Sequence, residues 1–177
     1  RKKGIISVLL SLCMMASMLP VPAAADAVTL DVSKGHIEIT ATGYKAAGAA
    51  SETAYTGDYV ITGASTDETK YVTVSGGTHT ITLRDVNIDF SNGPQNGDDA
   101  SRSAFSIESG AAVNLVLSWD ANILKSSNEG AALRVPEGAS LTVSGDGTLN
   151  AQAKHYGAAI GGANKESAGS ITISGGT

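Results

Sequence analysis

Short runs of alternating apolar and polar residues recur along most of the chain. In Ile37–Ile39, Val72–Val74 and Leu141–Val143, for example, two aliphatic side chains flank one polar side chain. Alternation with a period of two places the apolar side chains on one face of a strand and the polar ones on the other. Glycine-containing turns such as Ser75–Gly77 separate the runs. The pattern predicts an all-β protein built from many short strands.

The strand and turn pattern repeats. Residues 103–107 and 110–115 are matched 28 residues later by Ala131–Val135 and Gly138–Val143, and a third copy begins at Gly157, 27 residues after Gly130. A period in the twenties made of strand, turn, strand and turn is the signature of a β-solenoid. One coil cannot bury its inward aliphatic side chains alone, but stacked coils can. We therefore predict a right-handed parallel β-helix, with an antiparallel sandwich as the structural alternative.

Three small residues recur at one place in the repeat. Ala104, Ala132 and Ala159 each precede the apolar residue that opens a strand. We interpret them as inward corner positions where only a small side chain fits.

Residues 1–25 have the order of a secretion signal. Three basic residues precede an uncharged apolar run, Ile5–Leu19, and the small residues Ala23–Ala25 follow. The 15-residue run is shorter than the roughly 20 residues needed to span a bilayer. We predict a cleaved signal peptide, a secreted or cell-surface protein, and no stable membrane insertion after cleavage.

The rest of the chain divides into two predicted segments. Residues 26–57 repeat poorly and are expected to form an N-terminal cap, because an open solenoid end exposes apolar core and unpaired strand edges. Residues 58–177 are expected to form the coils and, since Thr177 follows directly on a strand and turn, to continue in the native protein.

Charge narrows the range of partners. Signal removal takes away three of the 12 basic residues and none of the 17 acidic ones, so the net charge falls from −5 to −8. An acidic surface argues against nucleic acid and anionic membranes as partners. It is compatible with divalent cations.

Asp120 and Asp146 fall at matching turns of successive coils in one alignment, which would place them one strand spacing, about 4.8 Å, apart. They are candidate calcium ligands, unless they are solvated turn residues.

Exposed aromatic rings are the other candidate chemistry. Trp119 lies in a turn and Tyr156 opens a coil, so either ring could pack on the apolar face of a sugar. The alternative is that both cover coil edges.

Catalysis is not expected from the sequence. Arg84, Arg102 and Arg134 are scattered, and Arg84 and Arg134 are expected to be solitary outward side chains. The histidines share no metal-binding spacing. A polysaccharide lyase is the enzyme alternative.

The last coil carries a family resemblance. Gly157–Asn164 followed by Ala168–Thr177 resembles the G-A-x-I-G-G and G-x-I-T-I-S-G-G-T repeats of large secreted surface proteins of Firmicutes. Gly57–Gly63 and Thr82–Ile88 resemble opening coils of these proteins and of related carbohydrate-binding modules. The resemblance implies a β-helical, extracellular module. Two functions are expected from it: adhesion or surface presentation first, and binding of an acidic cell-wall or host glycan as the alternative.

Overall fold

The computed structural model describes residues 26–93, 102–119 and 121–177, so the predicted signal peptide lies outside the described residues. Apart from a single 3₁₀ turn, Val32–Lys34, the regular elements of this part of the chain are strands. The strands are β1 (Val28–Asp31), β2 (Ile37–Thr40), β3 (Gly43–Lys45), β4 (Thr53–Ala54), β5 (Tyr59–Ser65), β6 (Val72–Ser75), β7 (Gly77–Asp89), β8 (Phe105–Ile107), β9 (Ala111–Ser118), β10 (Asn122–Lys125), β11 (Leu133–Arg134), β12 (Ser140–Gly145), β13 (Leu149–Gln152), β14 (Ile160–Gly161) and β15 (Ser170–Ile173). None of the described residues forms a helix long and apolar enough to cross a membrane.

Parallel pairing stacks the strands into a β-solenoid of about five turns. Coil 1 contains β1 and β2, coil 2 contains β5 and β6, and coil 3 contains β7 and β8. Coil 4 contains β9 to β11 and coil 5 contains β12 to β14, after which β15 pairs with β12. The predicted parallel β-helix is confirmed. The repeat offsets are also confirmed, because Leu133 pairs with Phe105 and with Ile160.

The coils have three faces. The first face is formed by β1, β9, β12, β15 and the first halves of β5 and β7. The second face contains the ends of β5 and β7 with β10 and β13. The third face contains β2, β6, β8, β11 and β14. Strand β7 turns from the first face to the second near Arg84. The alternating runs Ile81–Leu83 and Val86–Ile88, which the sequence pattern treats as two strands, therefore belong to one 13-residue strand.

The core is a set of apolar columns that run along the solenoid. Tyr59, Ile81, Leu115 and Val143 occupy one column through the parallel register, and each is at most 2% exposed. Burial of each side chain therefore depends on the coils directly before and after it.

The corner alanines stack as the repeat predicts. The Phe105 amide donates to the Ala132 carbonyl at 3.1 Å, and the Leu133 amide donates to the Ala159 carbonyl at 3.0 Å. Ala104 and Ala132 are fully buried, whereas Ala159 lies in coil 5, at the end of the described stack, and is exposed.

The segment predicted as a cap contains a coil and a hairpin. Strands β1 and β2 pair in parallel with coil 2, while β3 pairs antiparallel with the outer edge of β2 and β4 with β3. Tyr44 and Tyr55 pack edge to face with each other and with the buried Tyr59 of the core, with ring centroids 5.2–6.3 Å apart. Burial raises the pKa of Tyr59 to about 12. The hairpin covers a strand edge that would otherwise be open.

Candidate functional site

The corner between the first and second faces differs in length from coil to coil. We count the residues between the two register positions that Leu83 and Asn87 occupy in coil 3. Coil 2 has residues 62–63 between these positions, and coil 3 has residues 84–86. Coil 4 contributes residues 118–122 at this corner, and coil 5 contributes residues 146–149. Because the flanking strands are held in register, the additional residues of a longer connection lie outside the hydrogen-bonded ladder. The corner therefore lengthens in steps from coil 2 to coil 4.

An open groove of about 510 Å³ follows these steps. We call it the Trp119 groove. It is lined by Thr62, Gly63, Ala64, Arg84, Asp85, Asn87 and Trp119. Its volume falls within the range of small-ligand sites, roughly 300–1,000 Å³. The groove opens to solvent, so it suits a ligand that lies on the surface rather than one that is enclosed.

Trp119 lies in the longest of these corners, that of coil 4. Its side chain is 66% exposed, which is unusual for the largest apolar side chain. Its backbone has φ 70°, a left-handed conformation that side chains other than glycine rarely adopt. Its carbonyl accepts a hydrogen bond from the Thr148 amide of coil 5 at 3.1 Å, which fixes the peptide in place. The result is a flat aromatic ring presented outward on a fixed backbone.

A buried amide supports this corner from inside. Asn122 is 1% exposed, and its side-chain oxygen accepts from the Val86 amide at 3.2 Å. Its Nδ2 donates to the Ser118 and Thr148 carbonyls, both at 3.0 Å, and to the Trp119 carbonyl at 3.4 Å. These bonds replace ladder bonds that the inserted residues interrupt. Asn122 thereby links coils 3, 4 and 5 beneath Trp119.

Three exposed polar side chains line the groove together with Trp119. Arg84 offers guanidinium donors, Asp85 offers carboxylate acceptors, and Asn87 offers both through its amide. Asp85 also has a left-handed backbone, with φ 56°. Within the described ranges, no carboxylate lies within ion-pair distance of the Arg84 guanidinium. Its donors therefore face solvent in the groove.

The predicted site residues fall into two groups. Trp119 lines the groove, and Asp146 is exposed on the same corner one coil further on, where the adjacent Gly147 amide donates to the Leu117 carbonyl at 3.1 Å. Tyr156 is 76% exposed but lies between β13 and β14, at a different corner from Trp119. Asp120 lies outside the described residues.

The calcium prediction stays a prediction. Asp146 is the member of the Asp120–Asp146 pair that the structure places. In the part of the chain that the structure describes, no group of three or more His, Cys, Asp or Glu side chains could hold a metal ion.

Sequence reasoning missed the partners of Trp119. Arg84 was expected to be a solitary outward side chain, yet it shares the groove with Asp85, Asn87 and Trp119. The available signal was the break in alternation at Arg84–Asp85, between the runs Ile81–Leu83 and Val86–Ile88. An interruption between two strands of one coil marks a corner, and a corner is where side chains leave the core.

The interpretation of Arg134 as a solitary, solvated side chain is wrong. Its guanidinium donates to Glu108 Oε1 at 2.9 Å and to Glu166 Oε2 at 2.8 Å. The parallel register explains the contacts, because Arg134 of coil 4 pairs with Ser106 of coil 3, two residues before Glu108.

The site and fold define a parallel β-solenoid with a solvent-facing aromatic groove at one corner. Comparison with known proteins adds no identity to this: no protein-family model, no curated protein and no solved structure matches the chain.

Proposed function

We propose that the protein is an exported β-solenoid module that binds carbohydrate through the Trp119 groove and uses this binding for adhesion at a cell or cell-wall surface. The observation that supports it is the exposed indole of Trp119, which lines one groove with Arg84, Asp85 and Asn87. A flat ring packs on the apolar face of a pyranose, while neighbouring donors and acceptors bind its hydroxyl groups. An acidic sugar would in addition place its carboxylate at Arg84.

The chain offers a direct optical test, because Trp119 is its only tryptophan. Stacking of a sugar on the ring is expected to shift tryptophan emission to shorter wavelength, and the titration gives the dissociation constant. Polygalacturonate, a neutral xylan and soluble cellulose fragments form the panel, each measured with calcium and with a chelator. A blue shift that saturates with one of these glycans supports the proposal.

Substitution at Trp119 tests where the glycan binds. Trp119→Ala is expected to weaken binding by about tenfold or more, since ring stacking and the burial that accompanies it are worth at least about 1.4 kcal/mol. Tyr156→Ala is the matched control, because Tyr156 is also a highly exposed aromatic residue and lies outside the groove. Calorimetry measures both variants, since the first lacks the fluorophore.

Two results would contradict the proposal. One is that Tyr156→Ala abolishes binding while Trp119→Ala does not; the other is that no glycan of the panel binds. Release of unsaturated products from polygalacturonate, detected by ultraviolet absorbance, would instead support the lyase alternative.

A further inference from the structure

A second groove lies on the third face of the solenoid, away from Trp119. It has a volume of about 400 Å³, and we call it the third-face groove. Its lining includes His36, Tyr71, Thr73, Arg102, Ser106 and Arg134. It shares no lining residue with the Trp119 groove.

The third-face groove runs along the solenoid axis. Thr73, Ser106 and Arg134 lie side by side on β6, β8 and β11 in the parallel register, so they form a row with one residue per coil. His36 extends the groove to coil 1 and Ala163 extends it to coil 5. Five coils span four strand spacings, about 19 Å. A groove of this length and direction suits an extended chain rather than a compact ligand.

Both walls of the groove are fixed by contacts within the protein. On one side His36 stacks on Tyr71 with ring centroids 4.1 Å apart, and His36 Nε2 lies 3.0 Å from Thr73 Oγ1. On the other side the loop 162–168 is held by Glu166, which accepts from Arg134 and from the Ala163 amide at 3.1 Å. Since neither wall has to be ordered by the ligand, the groove is preorganised.

Two cations face the groove, and their surroundings differ. Arg134 is paired with two carboxylates, Glu108 and Glu166, which more than balance its charge. Arg102 is exposed, with its guanidinium carbon 5.3 Å from the centre of the Tyr71 ring. Among the described residues, no carboxylate lies within ion-pair distance of Arg102. It is therefore the group in the groove that can bind an anion through paired donors.

We propose that the third-face groove is a second binding site, which takes a linear glycan carrying carboxylate or sulfate groups along the solenoid axis. Arg102 binds an anionic group, and the half-buried Thr73 hydroxyl faces the hydroxyl groups of a neighbouring sugar, while Ser106 is buried beneath the groove. An extended peptide is the less suitable occupant, because β6, β8 and β11 are paired on both sides and offer no free edge for strand addition. The site does not rest on the Trp119 groove, so either proposal can fail alone.

The test compares polyanions of two kinds with a neutral polymer. Polygalacturonate carries carboxylates, dextran sulfate carries sulfate esters, and dextran carries neither; binding is measured by calorimetry at two salt concentrations. Arg102→Ala is expected to weaken binding of at least one polyanion by about tenfold, and Arg102→Lys by less, because lysine keeps the charge but lacks the paired donors. Which polyanion responds identifies the anionic group.

Controls separate the site from general charge and from the Trp119 groove. Lys34→Gln removes an exposed cation outside both grooves and is expected to leave polyanion binding unchanged. In the Trp119→Ala background, which lacks the first site, Arg102→Ala is still expected to weaken polyanion binding, because the two grooves share no lining residue. Longer oligogalacturonates are expected to bind more tightly than the dimer, since the groove crosses five coils. Circular dichroism establishes whether each variant is folded. If Arg102→Ala does not fold, the milder Arg102→Lys variant is used for the comparison with wild type.

The proposal is overturned if neither polyanion binds the wild-type protein, or if folded Arg102 variants bind like wild type. It is also overturned if Lys34→Gln weakens binding as much as Arg102→Ala, which would indicate nonspecific attraction. Loss of all polyanion binding in Trp119→Ala would show that the Trp119 groove is the only site used.

Discussion

At the scale of the residue, the corner around Trp119 combines an exposed ring with a strained backbone. A side chain in the left-handed region costs roughly 1 kcal/mol relative to glycine, which adopts it freely. Trp119 and Asp85 both have positive φ, and both line the same groove. Strain of this kind persists only where the surrounding structure holds it, and here Asn122 and Thr148 do so.

This strain predicts different stabilities for two truncations of the same residue. Trp119→Gly is expected to be more stable than Trp119→Ala by about 1 kcal/mol, because glycine relieves the left-handed strain. Both variants are expected to lose glycan binding. Urea unfolding followed by circular dichroism measures the difference. Tyr156 does not have a positive φ, so Tyr156→Gly should not be more stable than Tyr156→Ala. If glycine is more stable than alanine at both positions, the explanation by left-handed strain is contradicted.

Of the residues at the Trp119 corner, some could be identified as site residues from the sequence and others could not. Trp119 was identifiable because a tryptophan in a turn stands outside the alternation. Asn87 was not identifiable, because it occupies an ordinary outward position of a strand run. Its role in the groove depends on the lengths of the neighbouring corners, which no single coil reveals. Asn122 was likewise hidden, since an asparagine beside a turn is expected to be solvated.

At the scale of the element, the Arg134 ion pairs connect three parts of the stack. Arg134 of β11 bridges Glu108, which follows β8, and Glu166 in the loop before β15. Hydrogen bonds from Arg134 hold the pKa of Glu166 below its ordinary value of 4.5. The loop 162–168, which forms one wall of the third-face groove, is thereby tied to the sheet.

This arrangement predicts an acid-dependent contribution to stability. Because the folded-state pKa of Glu166 is lowered, its contribution is present above pH 4.5 and is lost as the pH falls through the lowered value. Glu166→Gln is expected to cost about 1 kcal/mol at neutral pH, a modest value for a partly exposed ion pair. Urea unfolding between pH 7 and pH 3 should show the two proteins converging in acid.

Glu137→Gln provides the matched control for that measurement, because Glu137 is exposed and forms no ion pair among the described residues. Its unfolding free energy should follow that of wild type at every pH. A gap between wild type and Glu166→Gln that stays constant from pH 7 to pH 3 would contradict the assignment of the contribution to the Glu166 carboxylate.

The strands themselves were largely predictable, and their connections less so. The 28-residue offset that pairs Leu133 with Phe105 can be read directly from the repeat. Upstream the offset changes, since Phe105 pairs with Val72 and Val72 with Ile37, so the first coils resemble the later ones only weakly. The unequal offsets arise from loops and other connections between the coil strands, such as the connection from β2 to β5 that contains the β3–β4 hairpin. The contact of Arg134 with Glu166 depends on one such loop, which is why the sequence did not reveal it.

At the scale of the whole molecule, each coil contacts the coils on either side of it. The column of Tyr59, Ile81, Leu115 and Val143 runs through coils 2 to 5 at one residue per coil. Neighbours in the column lie about 4.8 Å apart in their backbones, and residues two coils apart lie about 10 Å apart. Stability is therefore expected to be a sum of coil terms and contacts between adjacent coils.

Double-mutant cycles along the column test this expectation. Ile81→Val combined with Leu115→Ala should show a coupling energy of about 0.5 kcal/mol or more, because the two side chains lie on adjacent coils. Ile81→Val combined with Val143→Ala should be additive within about 0.4 kcal/mol, since one coil separates them. Urea unfolding provides the free energies. Equal coupling in both cycles would show that the stack responds as one unit.

At the Trp119 corner, the residues that could contact a ligand are different from the residues that stabilise the fold. Corner residues lie outside the hydrogen-bonded ladder, and coils 2 to 5 already accept corners of unequal length without losing register. Insertions and deletions at this corner can therefore accumulate during evolution while the apolar columns stay unchanged. A lineage of such proteins could diversify its ligands by altering a few turn residues, and a protein engineer could graft a new surface there by the same route.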